Sequence, residues 1–535
     1  MLFASRPEHL RQFGAGVLIA FGFLVIGLLT LGSYGQTWDE AETRAAALLD
    51  LGFIKAVVSG APAPVWPTHE LPGYYFIVDV LRGAFSWIIS RRLLLMDEIL
   101  AFHLFQLVLS SLSVFLLFLL AVRVSGRLRI GILSAMILAL FPQFVAHSQN
   151  NPKDLPGVFA FLLAIYALSG LGDSSPARRT VYSGLALGFA LTTHVGAVFV
   201  LPLVFIWQLA TRRTLGWKRY AIVVVTAAVT AFVCWPWLWS APWTNVVWAI
   251  GHIASRFHLS DLTVLYLGNV YNAWELPWHY SLVSFLATTP VLYLALAVVS
   301  LRVYWSRDEG STGNPRSAAT LGWAWCAIIL AAETRAPMRY DGVRHLLIMV
   351  PGFCLVAAVG LDSIMRFIER TEALRRFGRV RSVAALACAA ILFSWTGFQM
   401  VRIHPYHNAY LNEVTNASLA GNAEDVFEVE YWCQSYKEGA EWLNAHAERG
   451  SAIYVAWPRA CADPYLNTTA EELDVDALPR FADPARPAYF MVMTRKAMYS
   501  EPIKQIVGAY KPVFMIRRQK GTLLRIYFNR PSPPG

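Results

Sequence analysis

The sequence predicts an α-helical polytopic membrane protein that ends in a small α/β domain. Three observations carry this. Of 535 residues, 56% are hydrophobic and 15% charged, whereas soluble domains are about a quarter charged; mean hydropathy is +0.45. Apolar runs approaching the length of a membrane span, about 20 residues, recur from 13 to 401. Beyond 402 the hydrophobic density falls, and short strand-like and helix-like segments replace the runs. The chain thus divides into a transmembrane unit, 1–401, and a smaller domain, 402–535.

In chain order the runs are 13–33, 99–122, 130–147, 157–172, 181–193, 195–210, 220–239, 281–301, 319–332, 345–365 and 382–401, which predicts about eleven spans. The first follows Arg6 and Arg11 and lacks a small-x-small cleavage site, so it reads as a retained anchor. The basic residues test the parity. Arg123, Arg127 and Arg129 follow the second run, and Arg178 and Arg179 the fourth. Arg212, Arg213, Lys218 and Arg219 precede the seventh. Arg366, Arg370, Arg375, Arg376, Arg379 and Arg381 separate the last two. All share one side only if 181–210 crosses twice, as two short helices meeting near Thr192-Thr193-His194. The positive-inside rule then puts the N-terminus in the cytoplasm and the C-terminus outside. The net charge of +10 is thereby a topology signal and gives no reason to invoke nucleic acid.

The long first outside loop, 34–98, holds two amphipathic segments. In 74–90, Ile77, Val80, Leu81, Ala84, Phe85 and Ile88 follow helical spacing, and Asp79, Arg82, Ser86 and Ser90 line the other face. That pattern predicts a helix lying in the membrane interface. The segment 41–57 is similar, with Ala45, Leu48, Leu49, Gly52, Phe53 and Ala56 on one stripe. In the last domain 437–448 reads as a helix. The segments 452–457, 487–494, 512–517 and 522–528 read as strands, the last two a hairpin across Gln519-Lys520-Gly521. Cys433 and Cys461 are the only cysteines there. In an oxidising compartment they pair or stay free, and the sequence leaves both open.

The candidate site residues cluster on the outside face. Thr37-Trp38-Asp39-Glu40 follows the first span. Thr37-x-x-Glu40 fits a capping box, yet ionised groups are costly beside hydrocarbon, so the same acids are also a functional candidate. Asn151-Pro152-Lys153-Asp154 reads as a helix start, and an open helix N-terminus beside Lys153 suits a phosphate. The loop 333–345 carries Arg335, Arg339 and Arg344 on the side that disfavours basic residues. Either they snorkel from a span end or they meet an anionic partner, for which arginine is well shaped. No Cys/His metal spacing occurs.

With these residues placed, the chain resembles the C-type (GT-C) glycosyltransferases. It is most similar to bacterial relatives of the protein O-mannosyltransferases and aminoarabinose transferases. The resemblance rests on Trp38-Asp39-Glu40, Pro72-Gly73-Tyr74-Tyr75, Asn151-Pro152-Lys153-Asp154, Arg339-Tyr340-Asp341-Gly342-Val343-Arg344-His345 and His404-Pro405-Tyr406, in that order on one face. Where such relatives often carry Pro-Pro in the first loop, this chain has His69-Glu70-Leu71-Pro72. The resemblance implies a sugar donor on a polyprenyl phosphate, an inverting transfer to an acceptor hydroxyl of a lipid, glycan or protein, and a bacterial inner-membrane location. The large sugar-binding-like repeats of eukaryotic protein mannosyltransferases are missing, so a protein acceptor is not specifically implied.

On the residues, Asp39 is the expected general base, with Glu40 as helper or cap. Asp154 either orients Lys153 or meets the acceptor. Lys153, Arg339 and Arg344 are expected to neutralise the leaving phosphate. His69, Tyr340, His345 and His404 are secondary candidates. No metal site is compelling, although a carboxylate-held divalent cation stays open. The competing class is a transporter or flippase of lipid-linked glycans. Such proteins show internal repeats with helices broken near the bilayer midplane, and the sequence shows no such repeat.

Overall fold

A computed structural model describes residues 6–62, 64–66, 71–213, 215–255, 262–305, 313–371 and 378–530. Helices fill the chain to residue 403. They are α1 (Arg6–Thr30), α2 (Trp38–Ser59), α3 (Phe76–Trp87), α4 (Glu98–Ser125), α5 (Leu128–Ala139), α6 (Pro142–His147), α7 (Asp154–Ser169), α8 (Ala177–Leu191), α9 (Val200–Ala210), α10 (Trp217–Cys234) and α11 (Pro242–Ser255). A two-stranded antiparallel ribbon, β1 (Thr263–Tyr266) and β2 (Asn269–Asn272), precedes α12 (Tyr280–Thr288), α13 (Val291–Ser300), α14 (Pro315–Thr334), α15 (Val350–Arg370) and α16 (Gly378–Ile403).

Each expected span overlaps a helix. Among the described residues, six helical segments are long and apolar enough to cross a membrane, or seven if the pair 280–304 is one span. The segments 128–139, 154–169 and 195–210 are apolar but shorter. The chain is an integral membrane protein, and about eleven crossings is more than length and composition alone support. The run 281–301 was expected to be one straight span. Instead it bends by 109° between α12 and α13, because Pro290 has no N–H to continue the ladder. The freed carbonyls are filled from elsewhere. Asn412 donates its side-chain amide to the Leu286 and Thr289 carbonyls at 2.6 and 2.9 Å and its backbone N–H to Ala287 at 2.8 Å. Next to it, the Glu413 carboxylate accepts from Val291 N–H at 3.4 Å and Trp395 Nε1 at 2.7 Å.

Small residues set the helix spacing. A Cβ on Gly188 would lie 2.6 Å from the Ala227 carbonyl, and one on Gly184 2.9 Å from that of Val223. This Gly-x-x-x-Gly face therefore brings α8 against the α10 backbone, as in packing between membrane helices. Two of the basic segments meet. Arg127 and Arg129 from the α4–α5 turn reach Asp362 on α15 at 2.9 and 2.6 Å.

The first long loop holds the two helices α2 and α3. On α3 the polar face turns into the protein: Asp79, Arg82 and Ser86 are buried while Leu81, and Ile88 just past its end, are exposed. Arg82 anchors that face, because it donates to Asp79 at 3.0 Å and to the Pro152 carbonyl at 2.5 Å. On α2 the buried line is Thr43, Ala47 and Asp50, whereas the predicted stripe residues Ala45 and Leu48 are exposed. Burial pushes the Asp50 carboxyl up to about 7, against the donation it receives from Trp66.

The C-terminal region holds α17 (Glu413–Ser418), α18 (Tyr436–His446), β3 (Ala452–Val455), β4 (Ala470–Glu472), α19 (Leu478–Ala482), β5 (Ala488–Met493), α20 (Glu501–Ala509), β6 (Pro512–Arg518) and β7 (Gly521–Phe528). One sheet has the order β4-β3-β5-β7-β6. β3 runs parallel to β4 and β5, and β7 antiparallel to β5 and β6. The four predicted strands and the hairpin are present. The strand β4 was not expected, since Ala-Glu-Glu carries no β-branched or aromatic residue. Alternation builds two cores: Phe490 and Val492 pack with Phe481 and Ile506, and Met491 and Met493 with Leu443 and Tyr436. Cys433 and Cys461 are both buried free thiols.

Glu430 in this region is fully buried and accepts from Trp432 N–H at 2.9 Å. Burial pushes its carboxyl from 4.5 up to about 7. Between these values the folded chain holds a proton that the unfolded chain has lost. Stability from this group is therefore full below about 4.5, falls as pH rises to about 7 and is level above. Glu430→Gln removes a penalty on the order of 3 kcal/mol at alkaline pH. The thermal midpoint of the variant should exceed wild type at pH 8 and match it near pH 4.5. Equal shifts at both values would discount the buried proton.

Candidate active site

Arg344 is the centre of the site. It begins a 3-10 turn, Arg344–Met349, that runs into α15, and its side chain is 6% exposed. Its guanidinium meets three carboxylates: Asp39 at 2.6 Å, Asp154 at 2.7 Å and Asp341 at 3.0 Å. Its flat face lies 4.9 Å from the Trp432 ring centroid. Lys153 Nζ is 3.2 Å from the other Asp39 oxygen and 3.6 Å from Glu42. Acids from α2, α7 and the 341 loop thus converge on one buried arginine, with a lysine at the edge.

Local chemistry explains each placement. Thr37 and Glu40 form the capping box, the Glu40 carboxylate accepting from Thr37 N–H at 2.7 Å. The Thr37 hydroxyl also donates to the Asn150 carbonyl at 3.0 Å, joining the first loop to the second. The cap turns Asp39 toward Arg344 and Glu40 the other way, where it lies 2.9 Å from His103. Asn151 accepts from the backbone N–H of Lys153 and of Asp154, at 3.1 and 2.8 Å. Its amide donates to the Asp154 carboxylate at 3.0 Å. The helix begins at Asp154, later than the predicted start, so Lys153 stands on the turn before it.

Of the sequence-predicted residues, Asp39, Asp154, Lys153 and Arg344 come together. Glu40 is adjacent but bonded as a cap. Tyr340 lies edge-on to His345, ring centroids 4.8 Å apart. Burial pushes the Tyr340 hydroxyl up to about 12, with Arg344 opposing. His345 Nδ1 is 3.4 Å from Glu333. Arg339 is spent elsewhere: it donates to the carbonyls of Leu276, Pro277 and Thr334. His404 sits against Tyr34 and His407, apart from the cluster. His69 lies outside the described residues. Among those residues no group of three His, Cys, Asp or Glu side chains is arranged to hold a metal ion; the site acids are turned onto Arg344 and Lys153.

Sequence reasoning missed Asp341, His194, Trp432 and Arg495. Asp341 is fully buried with φ 55°, followed by Gly342 at φ 61°, a left-handed pair that turns its carboxylate inward. His194 Nε2 stands 3.9 Å from Asp154. Asp341 was visible inside the Arg339–His345 motif. Trp432 and Arg495 gave no local signal.

Residues 84–239 match a family model described as dolichyl-phosphate-mannose-protein mannosyltransferase. No curated protein matches the sequence. Among solved structures, ArnT from Cupriavidus metallidurans bound to undecaprenyl phosphate is similar at 14% identity and TM-score 0.49, covering 97% of this chain and 99% of that one. The Archaeoglobus fulgidus oligosaccharyltransferase tethered to an acceptor peptide is similar at 11% identity and TM-score 0.46, over 86% of this chain and 63% of that one. Arabinofuranosyltransferase AftD from Mycobacteria is similar at 13% and 0.42, over 98% of this chain and 40% of its own. The likeness to C-type glycosyltransferases carried by the motifs is thus met in residues 84–239 by a match to the dolichyl-phosphate-mannose-protein mannosyltransferase family.

Proposed function

We propose that the chain transfers a sugar from a polyprenyl-phosphate donor to an acceptor hydroxyl, with inversion, on the extracytoplasmic face of a bacterial inner membrane. The N-terminus is cytoplasmic and the sheet region extracytoplasmic. The single observation that carries the reading is Asp39 held between Arg344 and Lys153 at the head of the first loop. A carboxylate and two cations are the groups this reaction asks for. Asp39 takes the proton of the acceptor hydroxyl as its oxygen attacks the anomeric carbon. The bond from that carbon to the phosphate oxygen breaks, and its electron pair leaves with the polyprenyl phosphate. Lys153 meets the charge that develops there. Asp154 and Asp341 hold Arg344 in register, leaving Arg344 to share in holding the phosphate. The exposed apolar faces of α2 and α3 suit a lipid chain.

The flippase reading is weaker on a specific point. Transporters place ion and substrate sites at broken helices, but the break between α12 and α13 is filled by Asn412. The test is consumption of polyprenyl-phosphate-linked sugars in membranes with and without the chain. Release of polyprenyl phosphate is the result the enzyme reading requires; relocation of intact donor across the bilayer would replace it with the flippase. Lys153→Met should raise the donor KM by about tenfold or more, the scale of one lost charge-assisted contact. An unchanged KM would remove Lys153 from the phosphate.

A further inference from the structure

Besides Trp432, the C-terminal region brings a charged side chain, Arg495, to the cluster. Arg495 lies two residues past the end of β5, and its side chain is 1% exposed. Its base is fixed to the sheet, since Thr494 N–H donates to the Leu523 carbonyl at 2.9 Å and Met498 N–H to the Arg495 carbonyl at 3.0 Å. The guanidinium spreads over three partners: Asp341 at 2.9 Å, the Tyr431 carbonyl at 3.2 Å and Glu428 at 3.3 Å. Its flat face lies 4.8 Å from the centroid of Trp38, the residue before Asp39.

These contacts place Arg495 on both flanks of the Asp39–Arg344 pair. Asp341 divides its two oxygens between Arg495 and Arg344, so the direction of one guanidinium is referred to the other. Trp38 is held between Arg495 and Trp457, ring centroids 5.4 Å apart, which fixes the first turn of α2. A planar fork reaches several acceptors and a ring together, where a lysine brings one point charge.

We propose that Arg495 is a positioning residue for the transfer, acting through Asp341 on Arg344 and through Trp38 on Asp39, so that the sheet region completes the active site. This rests on the function proposed above. The test uses the purified full chain and a polyprenyl-phosphate-linked sugar, comparing wild type, Arg495→Met, Arg495→Lys, Asp341→Asn and the Arg495→Met/Asp341→Asn double variant. Arg495→Met should lower kcat about tenfold or more and raise the donor KM by less than Lys153→Met does, since the Lys153 contact remains and Arg344 is loosened but not removed. Arg495→Lys should recover part of kcat. In the double variant the second change should add less than about twofold, because coupled residues are not additive.

Unchanged kcat in a folded Arg495→Met chain, a loss in KM alone, or multiplicative losses in the double variant would overturn the assignment. Should Arg495→Met fail to fold, Arg495→Lys decides: folded with reduced kcat supports positioning, folded with full kcat refutes it. A wild-type chain that consumes no lipid-linked sugar would refute the underlying function instead.

Discussion

Asp39→Asn is expected to lower consumption of lipid-linked sugar by about 10² to 10⁴-fold, the usual contribution of a positioned general base. The change is close to isosteric, so the capping box of Thr37 and Glu40 stays in place and α2 still forms. An amide cannot take the acceptor proton. Arg344 and Lys153 lie 2.6 and 3.2 Å from different oxygens of the present carboxylate, so the amide orientation that keeps its oxygen on Arg344 sets its NH2 against Lys153. The loss should appear in kcat, with folding unchanged by thermal melting. Full activity in a folded Asp39→Asn chain would reduce the 37–40 segment to a helix cap and move the search for a base to Asp154.

Arg344→Met should be the most damaging single change to folding. It leaves Asp39, Asp154 and Asp341, all under a tenth exposed, without the cation they share. Breaking one buried ion pair by removing a partner costs about 3–5 kcal/mol, and here three contacts go together. The expected result is loss of folded protein or a much lower melting midpoint, together with loss of sugar transfer. Arg344→Lys separates charge from shape. One ammonium cannot face three carboxylates as a planar fork does, so this variant should fold better than Arg344→Met yet stay at least about tenfold below wild type in transfer. A normal midpoint in Arg344→Met would remove the hub.

The parts legible in the sequence were those with a local signature. Span ends, the capping box and Asn151-Pro152-Lys153-Asp154 mark themselves by spacing, and so Asp39, Lys153, Asp154 and Arg344 could be named. For Arg339 the sequence could not tell a phosphate partner from backbone carbonyls; only the fold brings Leu276, Pro277 and Thr334 to it. The helix α3 was legible as two faces, but periodicity does not say which face packs on the protein; the structure buries Asp79, Arg82 and Ser86 and leaves Leu81 exposed. Arg495 was invisible for a further reason: its partners Asp341 and Trp38 lie far away in the chain, and contacts of that range leave no pattern around either residue.

The seam at Asn412 has a practical meaning for anyone preparing the helical bundle alone. A chain cut at the end of α16 keeps every apolar helix but loses the side chain that satisfies the Leu286 and Thr289 carbonyls. Buried backbone groups left unsatisfied cost about 1–3 kcal/mol each. The shortened protein would have to straighten, hydrate or unravel α12, and Glu413 would no longer receive Val291 and Trp395. The useful point of division is therefore after the 412–413 seam, and a fragment ending before it is a different folding problem from the native bundle.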